Sequence, residues 1–148
     1  MRTKIVKIFL DSNVILSGFL SYKGAPSIIL DLLCLDLPFL KGCTGKYNLI
    51  EIQRNIQKKV PEILEIYQKY FPKLNLEIIP LPEKKEVKKY SGITSGKDIP
   101  VLLSAEKCSA DFLVTGDKDL IKTKVKQDFQ FEIISPSDCL EKIMGELF

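Results

Sequence analysis

Residues 5–11, Ile-Val-Lys-Ile-Phe-Leu-Asp, and residues 112–117, Phe-Leu-Val-Thr-Gly-Asp, are the stretches whose reading decides the fold. Each is a short β-branched and apolar run closed by a carboxylate, which is how a buried strand with an aspartate at its C-terminal end reads. Working outward, Gly24-Ala25-Pro26 punctuates the chain, and Ser27 is placed to cap a largely buried helix carrying Ile28, Ile29, Leu32, Leu33 and Leu35. Phe39–Cys43 reads as a second strand. From Thr44 the spacing of Leu49, Ile52 and Ile56 predicts a helix, and Pro61 opens another through Ile63, Ile66, Tyr67 and Tyr70 that Pro72 ends. Leu76–Ile79 is a strand candidate between prolines, Glu83–Tyr90 a charged, exposed helix, and Ser91–Gly96 the main loop.

Asp98 opens an apolar helix through Ile99, Val101, Leu102, Leu103, Ala105 and Cys108, directly before the Phe112–Thr115 strand. Phe131–Ile134 is a last strand, and Ser135-Pro136-Ser137 starts a terminal helix. Strands alternating with helices imply an α/β fold, a mainly parallel central sheet with helices on both faces, and residues 1–148 are expected to form a single domain. Sites in such sheets form beyond the carboxyl ends of the strands. Asp11 and Asp117 therefore belong at one edge.

Composition narrows the chemistry. With 45% hydrophobic and 28% charged residues, the chain has the balance of an ordinary soluble protein. Asp11 and Asn13 interrupt the N-terminal apolar run, and no stretch reaches roughly 20 apolar residues, so a cytoplasmic protein without targeting peptide or membrane span is expected. Cys34, Cys43, Cys108 and Cys139 are far apart in apolar surroundings and are expected as reduced thiols. The chain contains no histidine, which excludes imidazole bases, Ser-His-Asp triads and imidazole zinc sites. The net charge is +3, with lysine runs at Lys84, Lys85, Lys88 and Lys89 and at Lys118, Lys122, Lys124 and Lys126. These suit either phosphate contact or a solvated surface.

An aspartate after a strand often only caps a helix or holds a turn. Asp11-Ser12-Asn13 is more specific, because a carboxylate, a hydroxyl and an amide stand together where packing does not need them. Asp98 is a helix N-cap by position, which also holds a carboxylate in a fixed direction. Glu51, between Ile50 and Ile52, reads most simply as solvent-facing. Thr115-Gly116-Asp117-Lys118-Asp119 puts two acids on a turn at the end of a core strand. Carboxylates gathered this way repel one another unless a hard divalent cation neutralises them.

On these residues the chain resembles the PIN-domain proteins, especially prokaryotic ones regarded as toxins of toxin–antitoxin pairs. LDSNVILSG at 10–18 is similar to the family's LDTNVLVS, and DIPVLLSAEKCSADFLVTGDKDL at 98–120 is similar to its D-x-x-x-L-x-A-A-x-x-x-x-A-D-x-L-V-T-G-D-x-D-L. The resemblance implies a PIN-like three-layer sandwich. It also implies that Asp11, Glu51, Asp98 and Asp117 hold Mg²⁺ or Mn²⁺, with Asp119 as an additional acid and Ser12, Asn13 and Thr115 orienting the site. Lys97 departs from the pattern, since many relatives carry a further acid there. The implied reaction is metal-dependent hydrolysis of phosphodiester bonds in single-stranded RNA, with Lys118 and Lys122 guiding the substrate. The implied partners are a small antitoxin protein and a second copy of the chain in a homodimer.

Two rivals remain: a catalytically inactive PIN-like scaffold that binds RNA or protein, and a phosphoryl-transfer domain of the receiver or haloacid-dehalogenase kind. Three retained acids argue against the scaffold. Against the second, a dehalogenase-like motif wants an aspartate where this chain has Asn13, and a receiver wants paired acids at the first strand end.

Overall fold

A computed structural model describes residues 4–92, 94–123 and 128–147. Among these residues, five strands form one sheet: β1 (Val6–Leu10), β2 (Leu40–Gly45), β3 (Glu77–Ile79), β4 (Phe112–Val114) and β5 (Glu132–Ile134). Their order is β3-β2-β1-β4-β5, and every pairing is parallel, so the mainly parallel sheet expected is wholly parallel among the described residues. The chain runs outward from β1 to β3, returns to the other side of β1, and runs outward again through β4 and β5. The strand order therefore reverses between β1 and β4, where an open α/β sheet leaves a crevice beyond its carboxyl ends. Leu10 and Val114 are register partners there, which sets Asp11 and the turn after β4 side by side.

Among the described residues, eight α-helices cover the sheet: α1 (Ser12–Leu20), α2 (Ala25–Cys34), α3 (Lys46–Lys59), α4 (Leu64–Tyr70), α5 (Lys84–Lys88), α6 (Ile99–Lys107), α7 (Lys118–Ile121) and α8 (Pro136–Leu147). Short 3₁₀ turns at Pro61–Ile63 and Phe71–Leu74 flank α4. Alternation along the strands builds two cores. Ile8, Leu10 and Val114 point into one layer with Val14, Ile29, Ile52 and Ile143, while Phe9, Cys43 and Leu113 point into the other with Leu102, Ala105 and Leu120. Burial on both faces is why the central strands read as continuous apolar runs.

The structure departs from the sequence expectations at several points. α1 was not expected, because residues 14–20 are apolar without a polar face to mark the period. Gly18 lets it approach α2, since a Cβ there would run into the Leu30 side chain. α2 begins before Ser27, at Ala25 with Gly24 preceding it and Pro26 in its first turn, so Ser27 is an interior, buried residue rather than a cap. Thr44 belongs to β2, and α3 starts after Gly45. The expected helix at 83–90 shortens to α5, where the Glu86 carboxylate accepts the Glu83 N–H. Cys43 on β2 and Cys108 after α6 bring their sulfurs together in one core layer, while Cys34 and Cys139 stand apart. Sixty-five residues separate the pair, so only packing brings them together. No helix among the described residues is long and apolar enough to cross a membrane.

Candidate metal centre

Asp11 follows β1 directly and is the N-cap of α1, its Oδ1 accepting the Ser12 N–H at 2.8 Å. Three side chains reach the same carboxylate. Asn48 Nδ2 donates to Oδ1 at 3.0 Å, while the Thr115 hydroxyl at 2.8 Å and Asn13 Nδ2 at 3.3 Å donate to Oδ2. Only 7% of Asp11 is exposed. Burial pushes its pKa up to about 6; the hydrogen bonds from Thr115 and Ser12 oppose that rise, and the charges of Glu51 and Asp98 add to it.

Asn13 ties the start of α1 to the loop after β4: its Oδ1 accepts the Gly116 N–H at 2.8 Å. Thr115, fully buried, accepts the Asp117 N–H on its hydroxyl at 3.1 Å. Asp117 then caps α7, its Oδ1 accepting the N–H groups of Asp119 at 2.9 Å and Leu120 at 3.4 Å. Ser12, Asn13 and Thr115 thus form one hydrogen-bonded frame with Asp11.

Asn48 went unnoticed in the sequence. It lies in the first turn of α3, fully buried, with Nδ2 bridging Asp11 and the Ser12 hydroxyl at 2.9 Å. Its Oδ1 has no hydrogen-bond partner among the described residues. Gly45 makes room for it, since a Cβ there would come within 2.9 Å of that oxygen and of Ser104 Oγ. A polar residue beside Tyr47 in a helix carries no local sign of this role.

Asp98 occupies the N-cap position of α6 but makes no capping hydrogen bond with its side chain, so its carboxylate is left to the crevice. Burial raises its pKa first, Asp117 next, with smaller increases from Asp119 and Glu51; Lys97 draws it back down. Glu51, read as solvent-facing, is half-buried one turn into α3.

Asp11, Glu51, Asp98 and Asp117 come from four separate segments and line one cavity of about 230 Å³ at the β1–β4 crevice. Asp119 is exposed beside it and is not part of the wall, though its charge is felt at Asp98. Lys118 and Lys122 also lie outside the wall, on α7 and just after it, while Lys124 and Lys126 fall outside the described residues. The cavity instead holds Asn55, Lys59 and Lys97.

The donor set suits a hard cation: oxygen donors only, with neighbouring carboxylate charges adding to the raised pKa of Asp11 and of Asp98. Among the described residues, no three His, Cys, Asp or Glu side chains stand close enough to enclose an ion on their own. Mg²⁺ keeps several of its waters and is usually bound through one or two carboxylates rather than by an all-protein cage.

Three solved structures share this architecture. PAE2754 from Pyrobaculum aerophilum matches with a TM-score of 0.62 at 16% identity, over 95% of this chain and 90% of that one. The fold is PIN-like. VapBC2 from Rickettsia felis, solved bound to a DNA fragment from its promoter, matches this PIN-like chain with a TM-score of 0.60 at 18% identity. FitAcB from Neisseria gonorrhoeae matches with a TM-score of 0.60 at 17% identity. Each of these two alignments covers 88% of this chain and 98% of the other. No family model and no curated protein matches the sequence.

Proposed function

We propose that this PIN-like chain is a metal-dependent ribonuclease that hydrolyses phosphodiester bonds in single-stranded RNA, acting in the cytoplasm as the toxin of a toxin–antitoxin pair. The observation that carries the reading is the convergence of Asp11, Glu51, Asp98 and Asp117 on one cavity at the strand-order reversal. A fold needs no such convergence: burial raises the pKa of Asp11 to about 6, the charges of Glu51 and Asp98 add to the rise, and both work against the folded state.

In this reading the four carboxylates hold Mg²⁺ or Mn²⁺, with Asp119 as an outer acid. A bound ion of this kind lowers the pKa of its water and stabilises charge on phosphate oxygens. The protein's own contribution is orientation. Thr115, Asn13, Asn48 and the Ser12 N–H fix both oxygens of Asp11, and Asp117 is fixed through one oxygen by the start of α7. With no histidine in the chain, no imidazole is available for proton transfer. The VapBC2 and FitAcB complexes among the fold neighbours support an antitoxin partner. A homodimer is part of the same proposal and is tested by the mass of the purified protein in solution.

The experiment is incubation of the protein with single-stranded RNA and DNA in Mg²⁺, Mn²⁺ or EDTA, beside Asp11→Asn. Cleavage of RNA with metal, its loss in EDTA and a drop of at least about a hundredfold in the variant are expected. Metal-independent cleavage, or an equally active variant, refutes the assignment. RNA binding without cleavage under any metal would point to the inactive scaffold.

A further inference from the structure

α3 carries polar residues at Glu51, Asn55 and Lys59, spaced four apart, and all three line the cavity. Four-residue spacing stacks side chains along one face of a helix, so they form a single stripe. It begins one turn from Asn48, which holds Asp11, and spans about 12 Å from Glu51 to Lys59. Lys97 lines the same cavity from the loop before α6, next to Asp98.

Among the described residues, neither Lys59 nor Lys97 is in an ion pair, and Asn55 has no side-chain hydrogen bond. Four carboxylates and two ammonium groups leave the cavity wall with two net negative charges. One divalent cation brings it only to neutrality. The ammonium groups then add local positive charge for phosphates that lie beyond the cation's reach. Lys58 and Lys59 both sit in the last turn of α3, where either favours the helix dipole, but only Lys59 lines the cavity. A dipole role alone would not distinguish the two.

We propose that Asn55, Lys59 and Lys97 form the binding track for the backbone of a single-stranded RNA, running from the carboxylate cluster outward along α3. The inference rests on the nuclease reading. Lys59 and Lys97 take phosphate oxygens on either side of the carboxylates, and Asn55 hydrogen-bonds the sugar-phosphate chain between Glu51 and Lys59. Lys97 thereby places a cation beside Asp98, so phosphate binding depends less on further metal.

Binding and cleavage are measured separately. Binding uses a fluorescein-labelled single-stranded RNA titrated against Asp11→Asn, with further substitutions added, at several salt concentrations and with or without Mg²⁺. Lys59→Ala and Lys97→Ala should each weaken binding about tenfold at low salt and reduce the slope of log K against log salt by about 0.7. Lys59→Arg and Lys97→Arg should restore most of the loss, and Lys58→Ala should bind within about twofold of the parent. In the otherwise native protein, Lys59→Ala should raise KM for RNA with kcat little changed. Unaltered thermal midpoints separate these effects from misfolding. If Lys59→Ala and Lys97→Ala bind like the parent while the native protein cleaves RNA, the track is wrong and the nuclease reading stands. If Lys118→Ala and Lys122→Ala carry the loss instead, the strand runs along α7 and the track is also wrong. If the native protein neither cleaves nor binds RNA, both readings fall.

Discussion

Replacing Asp11 with asparagine removes a carboxyl group that the fold holds at about 6, against an ordinary value of 3.8. Between those values the native protein binds more protons than the unfolded chain, so stability falls as pH rises through this window and levels off above the folded value. The full difference corresponds to about 3 kcal/mol, of which about 2 kcal/mol lies between about pH 4.5 and about pH 7.5. Asp11→Asn also alters the hydrogen bonds from Thr115, Asn13 and Asn48, but that cost does not vary with pH. The informative quantity is therefore the change in the stability gap between the two proteins. Urea unfolding of both, in EDTA at several pH values, should show the variant gaining about 2 kcal/mol on the wild type across the window. Parallel stability curves, or a wild type that gains on the variant as pH rises, would refute burial and crowding of an ionising Asp11.

Two further outcomes follow from the same cluster. Mg²⁺ or Mn²⁺ should raise the thermal midpoint of the wild type, by the equivalent of about 2 to 3 kcal/mol at about a hundredfold excess over the dissociation constant, and raise that of Asp11→Asn less; calorimetric scans across a metal titration check this, and equal shifts would count against Asp11 as a ligand. Asn48→Ala should lower stability by about 1 to 3 kcal/mol in urea, because it strips a donor from the buried Asp11 carboxylate and opens a void beside Gly45; an unchanged midpoint would remove Asn48 from the frame.

The sequence by itself determined the layer architecture and the edge on which the acids gather. An apolar β-branched run followed at once by Asp11 or Asp117 is a local pattern, fixed by strand burial on both faces, and the parallel order follows from helices intervening between strands. Asp98 was legible for the same reason, as the start of an apolar helix before β4. Locality also limited the reading. α1 was hidden because residues 14–20 are apolar almost throughout and offer no 3.6-residue contrast. Ser27 looked like a cap because cap preference describes a residue type, whereas the actual helix start depends on where Gly24 turns the chain. The pairing of Cys43 with Cys108 lies 65 residues apart, beyond any periodicity.

Only the tertiary structure decided how far each acid enters the site and what surrounds it. Asp98 could have spent its carboxylate on its own helix; in the fold it does not, and it lines the cavity, where the charges of Asp117 and Lys97 act on it. Asn48 and Asn55 resemble ordinary helix amides until α3 is laid beside the β1 end, when one meets Asp11 and the other enters the cavity wall. The lysines divide by the same principle. Lys59, Lys97, Lys118 and Lys122 are equivalent in composition, yet only the first two line the cavity, because a side chain's part in a concave site depends on which elements converge there, and convergence is a property of packing between distant segments rather than of any segment alone.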